Sequence, residues 1–93
     1  MRSKTTARFR KAFTALPKQI QEQSRKNYRQ FKQDPWHPSL HFKQIHTSIP
    51  IYSARVSKDY RAVGQRTENE VVWFWIGSHG DYEKLLSQLG YLA

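Results

Sequence analysis

The sequence predicts an α+β domain, a mainly antiparallel four-stranded twisted sheet with an N-terminal αα-hairpin on one face and a short C-terminal helix. Three observations predict it. Apolar residues recur at helical spacing through the first third of the chain; after Asp34-Pro35 they give way to short β-branched and aromatic runs; and Gly77-Ser78-His79-Gly80 separates the last run from a final amphipathic stretch. The 93 residues form one domain, with the hairpin over about 6–33, the sheet over about 40–76 and the last helix over about 81–89.

In the first helix Phe9, Ala12, Phe13 and Leu16 fall at i, i+3, i+4 and i+7, with Arg8, Arg10 and Lys11 largely on the wet side. Pro17 ends it and suits the first turn of the next, where Ile20, Ser24, Tyr28 and Phe31 continue the stripe. Before the hairpin, Arg2 to Thr6 allows at most a short extended piece. Asp34-Pro35-Trp36-His37-Pro38-Ser39 is an ordered connection, because each proline turns the preceding residue away from helix. Strands follow at Leu40 to Ile45, Ile51 to Ser57, Tyr60 to Arg66 and Val71 to Ile76. The last is apolar at every position and is read as a central strand covered on both faces. Asp81, Tyr82, Leu85, Leu86 and Leu89 then mark the C-terminal helix.

Charge is unevenly placed. Of 16 Lys and Arg, ten lie in residues 1–33 beside the single acid Glu22, whereas residues 34–93 hold six of each sign. The net +9 therefore belongs to the hairpin, as an electrostatic footprint for phosphate or for an acidic protein, or as a solvated face that keeps the chain soluble. There is no cysteine, which excludes a disulfide framework, a thiolate nucleophile and a cysteine zinc site. No apolar stretch is long enough for a membrane span and no signal-peptide pattern opens the chain, so the expected location is the cytoplasm, with no membrane partner.

Strand alternation places Tyr52, Ala54, Val56, Ala62 and Gly64 toward the hairpin and Ser53, Arg55, Ser57, Arg61 and Val63 on the other face. Sharing of one face by Arg55 and Arg61 requires an odd-length connection near Lys58-Asp59 or a bulge, since an even turn would separate them. Arginines on strands often serve as edge protection; together, two guanidinium groups suit a phosphate. His79 lies where a strand hands over to a helix and could move a proton near neutral pH, while Tyr82 adds a hydroxyl and a stacking surface. The same residues also fit a structural reading, with His79 capping the strand and Tyr82 packing on the sheet. His41 and Lys43 project from one side of the first meander strand, as groove contacts or as a solvated edge. His37, His41 and His46 span a proline loop and a strand, which does not make a zinc pair. No metal and no cofactor is called for.

Two tracts, Ile51-Tyr52-Ser53-Ala54-Arg55-Val56-Ser57-Lys58-Asp59-Tyr60-Arg61-Ala62-Val63 and Val71-Val72-Trp73-Phe74-Trp75-Ile76-Gly77-Ser78-His79-Gly80-Asp81-Tyr82, resemble the RelE/ParE superfamily of bacterial type II toxin-antitoxin toxins. By that resemblance Arg61 stands for the Arg of the family's Tyr-Arg motif, Arg55 for the basic or His position on the preceding strand, and His79 for the functional residue after the last strand. Tyr82 lies near its C-terminal aromatic. The resemblance implies a metal-independent mRNA endoribonuclease, associated with the ribosome in some members, with catalytic Arg55, Arg61, His79 and Tyr82 and with RNA contacts at His41, Lys43, Lys58 and Asp81. It equally admits a DNA gyrase inhibitor without nuclease chemistry, and a non-toxic nucleic-acid-binding homologue. Implied partners are a cognate acidic antitoxin, mRNA and ribosomal RNA, or gyrase in the alternative. Two departures stand out: the family's first β-strand is shortened or missing before Ala7, and the basic cluster of active nucleases is thinner.

Overall fold

The computed structural model describes residues 1–89; the last four residues of the predicted domain, 90–93, lie outside the described residues. The elements run β1 (Arg2–Thr5), α1 (Ala7–Thr14), α2 (Lys18–Gln33), β2 (Lys43–Gln44), β3 (Ile51–Ser57), β4 (Tyr60–Arg66), β5 (Glu70–Ser78) and α3 (His79–Gln88). The strands form one five-stranded sheet in the order β1-β5-β4-β3-β2. All neighbours are antiparallel except β1, which runs parallel to β5. The α+β class, the hairpin and the antiparallel meander agree with the sequence reading; the strand count rises from four to five.

The added strand is β1, four residues long at the short extended piece read before the hairpin, so the first strand is not missing. Arg2 pairs with Glu70 and Thr5 with Trp73, which makes β5 a central strand. Its Arg-Ser-Lys-Thr sequence shows no apolar period because it is an edge pinned by polar contacts. The Ser3 hydroxyl accepts from the Tyr28 hydroxyl and from Trp73 Nε1, both at 2.9 Å.

Thr6 caps α1 by accepting from the Phe9 amide at 3.1 Å, and Phe9, Ala12, Phe13 and Leu16 pack on the core as their spacing requires. From α2, Phe31 is fully buried among Leu40, Phe42, Val71 and Trp73. Tyr52, Ala54, Val56, Ala62 and Ile76 lie in or against the same cluster, so the predicted hairpin-facing set is the observed one. Gly64 belongs to it by necessity: a Cβ there would stand 2.8 Å from Val71 Cγ1 and 3.0 Å from the Val72 carbonyl oxygen.

The first predicted meander strand is corrected. Leu40 ends a 3₁₀ turn, Pro38–Leu40, and His41 follows with φ 47°, in the left-handed region, so pairing is confined to Lys43 and Gln44. His41 and Lys43 consequently do not project from one strand. At the other end β5 is longer than expected, because Gly77 and Ser78 still pair with Arg61 and Tyr60. Helix α3 starts at His79 rather than near 81, since the Ser78 hydroxyl caps it by accepting from the Asp81 amide at 3.3 Å.

A register shift between Val63 and Gly64 on β4 places two residues of β5 in the space of one. Trp73 and Ile76 therefore face the hairpin while Phe74 and Trp75 both face α3. Helix α3 covers that second face through Tyr82, Leu85 and Leu86, which pack with Ile45, Ile51 and Val63. Both faces of β5 are covered, as its unbroken apolar run predicts.

Candidate active site

Of the two devices that would bring both arginines to one face, an odd-length connection or a bulge, the structure has the bulge. Ser57 pairs with Tyr60 across the Lys58-Asp59 turn, yet the next pair is Arg55 with Arg61, leaving Val56 as the extra residue. A regular two-residue hairpin would set Arg55 opposite Ala62, toward the hairpin; the bulge sets it opposite Arg61, and directly opposed residues share a face. Arg61 in turn pairs with Gly77. Arg55, Arg61 and Gly77 thus form one row across three strands.

The β3–β4 turn closes over the end of this row. Arg61 Nη1 donates to the Ser57 carbonyl at 2.7 Å, to Tyr60 at 2.9 Å and to Lys58 at 3.3 Å, wrapping its guanidinium around the turn. Nε and Nη2 remain for another acceptor. The His79 amide donates to the Asp59 carbonyl at 2.7 Å, which ties the start of α3 to the same turn. Sequence-distant Arg55, Lys58, Arg61 and His79 are thereby drawn to one corner. Among the described residues, no carboxylate forms a salt bridge with Arg55, Lys58 or Arg61.

His79 is about half exposed, and its Nε2 lies 3.1 Å from Glu83 Oε1, one helical turn on. A hydrogen bond to that carboxylate requires the proton on Nε2, so the neutral ring presents the Nδ1 lone pair as its free acceptor. Glu83 is a site residue that the sequence reading did not single out. Trp75 is another: a Cβ on Gly77 would stand 2.8 Å from Trp75 Cζ2, so the indole lies against the glycine end of the arginine row.

Tyr82 takes the place of the structural reading, packed on the sheet, rather than that of an open stacking surface. It is 7% exposed, packed between Trp75 and His79 with ring centroids 6.3 and 5.9 Å away. Its ring supports the corner from below and is not open to a base. Of the expected RNA contacts, Lys58 is exposed in the turn. Lys43 is exposed on β2 opposite Ser53, on the α3 side of the sheet as Arg55 is. His41 lies outside the strand. Asp81 is exposed in the first turn of α3, 3.9 Å from Lys84.

The hairpin side carries a second feature, an apolar cleft of about 390 Å³ between α1, α2 and the sheet, lined by Phe9, Phe13, Tyr28, Phe31 and Trp73. Arg25 lies at its rim with its guanidinium carbon 5.1 Å from the Phe13 ring centroid.

The family model for the ParE-like toxin domain matches residues 18–84, from the start of α2 to the middle of α3. The chain belongs to this family. Solved toxin structures share its fold at low identity. A chain of the archaeal RelE-RelB complex from Pyrococcus horikoshii OT3 is 18% identical, with 85% of this toxin and 94% of that chain covered and a TM-score of 0.68. The RelB-RelE antitoxin-toxin complex from Methanococcus jannaschii gives 12% identity, 88% and 96% coverage and a TM-score of 0.72. Isolated E. coli RelE gives 17% identity, 95% and 97% coverage and a TM-score of 0.64. A search of curated protein sequences finds no match. The ParE-like toxin is thus a RelE/ParE superfamily toxin in fold and in family. No helix among its described residues is long and apolar enough to cross a membrane.

Proposed function

We propose that this toxin cleaves mRNA without a metal ion, at the corner where Arg55 and Arg61 lie opposite one another beside His79. The observation that carries this reading is the bulge, which sets two arginines on one row near a half-exposed histidine, with no carboxylate partner for either arginine among the described residues. The RNA 2′-hydroxyl attacks the adjacent phosphorus, forming the P–O2′ bond as the P–O5′ bond breaks. His79 moves a proton from the attacking oxygen or to the leaving one, and Arg55 and Arg61 stabilise the charge that gathers on the phosphoryl oxygens. Lys58 at the turn offers a further backbone contact.

His79→Gln keeps a polar side chain but removes the exchangeable base. Because the ring is half exposed, cleavage should slow by about 10²-fold, the low end for a positioned acid or base. Transcript integrity after induced expression checks this. A second reading, gyrase inhibition, is favoured by the ParE-like family model and by the engagement of Arg61 with the turn and of His79 with Glu83. It predicts growth arrest with intact transcripts and indifference to His79→Gln.

The partner in either reading is an acidic antitoxin. The two archaeal relatives are seen in complexes with RelB. Here the apolar cleft, with cationic Arg10 and Arg25 among its lining, suits an amphipathic acidic segment that seats apolar side chains between α1 and α2. Replacing Arg8, Arg10 and Lys11 together by glutamine should lower the association rate with the product of the adjacent reading frame by about tenfold or more at low salt. It should also flatten the salt dependence. Stopped-flow binding at two ionic strengths measures this; an unchanged rate would remove the hairpin from the docking surface.

A further inference from the structure

Asn27, on α2, is the only side chain outside the β3–β4 hairpin that the described hydrogen bonds attach to the bulge. Its Nδ2 donates to the Arg55 carbonyl at 3.2 Å and to the Val56 carbonyl at 2.5 Å, so one amide group holds both peptide units of the irregular step. The site is partly buried, between α2 and the sheet. At a bulge the ladder lacks partners for one residue, and a helix side chain supplying two donors there fixes a conformation that strand pairing alone leaves loose. The choice of this residue type is specific: the task needs a short, neutral group with two N–H donors, which aspartate has not and leucine has not.

We infer that Asn27 is a positioning residue for the toxin's activity: by clamping the Val56 bulge it keeps Arg55 opposite Arg61, where both can address one phosphate. This rests on the reading of the two arginines as the working pair. The consequence is a division of effects. Losing the clamp should leave the fold and the substrate-docking surface in place while the arginine pair loses its registration, so turnover falls and apparent affinity does not.

The test compares wild type with Asn27→Asp, which keeps the shape but removes the donors, and with Asn27→Leu, which removes the polar group altogether and serves if the aspartate variant does not fold. Amide hydrogen exchange at Val56 to Lys58 should accelerate about tenfold or more in the variants while exchange in β5 stays as in wild type. RNA cleavage should lose about tenfold or more in kcat with KM within about twofold. Unchanged exchange at the bulge would overturn the clamp, and faster exchange with unchanged kcat would overturn the positioning role. If wild type arrests growth but leaves RNA intact, the nuclease reading fails by itself. Growth arrest then replaces cleavage as the readout, and the positioning role stands only if both variants lose the arrest.

Discussion

Replacing Arg61 by alanine should slow RNA cleavage by about 10²- to 10³-fold, the loss that follows removal of one donor aimed at developing charge. The proposed mechanism gives Arg61 a second task beside its structural one. Nη1 binds three carbonyls of its own turn, and that mechanism assigns the rest of the guanidinium to the phosphate. The alanine variant therefore also loosens the turn, at about 1 kcal/mol for each well-made hydrogen bond lost. A lysine at this position separates the tasks. Its ammonium can serve the turn carbonyls that Nη1 serves but leaves no second nitrogen for a phosphate, so it should recover part of the stability while cleaving near the alanine variant. Antitoxin binding, which the proposal places on the hairpin, should be retained by both. Cleavage by Arg61→Ala within threefold of wild type would remove this residue from the reaction.

Trp73→Ala should cost about 3–5 kcal/mol, the range for deleting a large aromatic from a core. The indole is 4% exposed, meets Phe31 edge-on with centroids 5.4 Å apart, and lies 6.1 Å from Phe42. Its Nε1–H also holds Ser3, so the same side chain fills the hairpin-side core and anchors β1. Against the total of about 5–15 kcal/mol typical of small domains, this loss leaves little stability. Trp73→Phe keeps most of the packing but drops the indole donor; its expected signature is faster amide exchange in β1 than in β4. Urea denaturation of the two variants measures the difference, and a loss under about 1 kcal/mol for Trp73→Ala would contradict the core described here.

What could be read from the sequence follows from where a single residue type has only one physical use. The αα-hairpin is written in the spacing of Phe9, Phe13, Leu16, Tyr28 and Phe31, and an odd-length connection or a bulge near Lys58-Asp59 is implied once Arg55 and Arg61 must share a face; that it is a bulge at Val56 is seen only in the fold. Strand β1 is hidden because its anchor is a serine hydroxyl receiving two donors, which leaves no apolar period. The loss of pairing at His41 depends on a positive φ in a non-glycine residue, for which the sequence gives no signal. The bulge on β5 is equally silent: where every position is apolar, alternation cannot show that Phe74 and Trp75 face the same way.

Arg55, Arg61 and His79, the candidates taken from the two tracts that resemble the toxin superfamily, lie beside the same turn in the fold. Of the two readings the sequence allows for Tyr82, packing on the sheet is the one that follows from a helix beginning at His79. With Ser78 as the cap, Tyr82 falls three residues into the helix on the face that meets Trp75, so burial follows from the register of the cap. Asn27 and Glu83 act through contacts formed only in the fold, one across the hairpin–sheet interface and one along α3.

The central claim is that this toxin breaks RNA by 2′-hydroxyl attack at the arginine–histidine corner. Sequencing the 5′ ends of transcripts after brief induction tests it most directly. The mechanism releases a 5′-hydroxyl and a 2′,3′-cyclic phosphate, so new 5′-hydroxyl ends should accumulate with wild type and fall to background with Arg61→Ala and His79→Gln. Growth arrest without new 5′-hydroxyl ends, together with inhibition of gyrase supercoiling by the purified toxin, would contradict it.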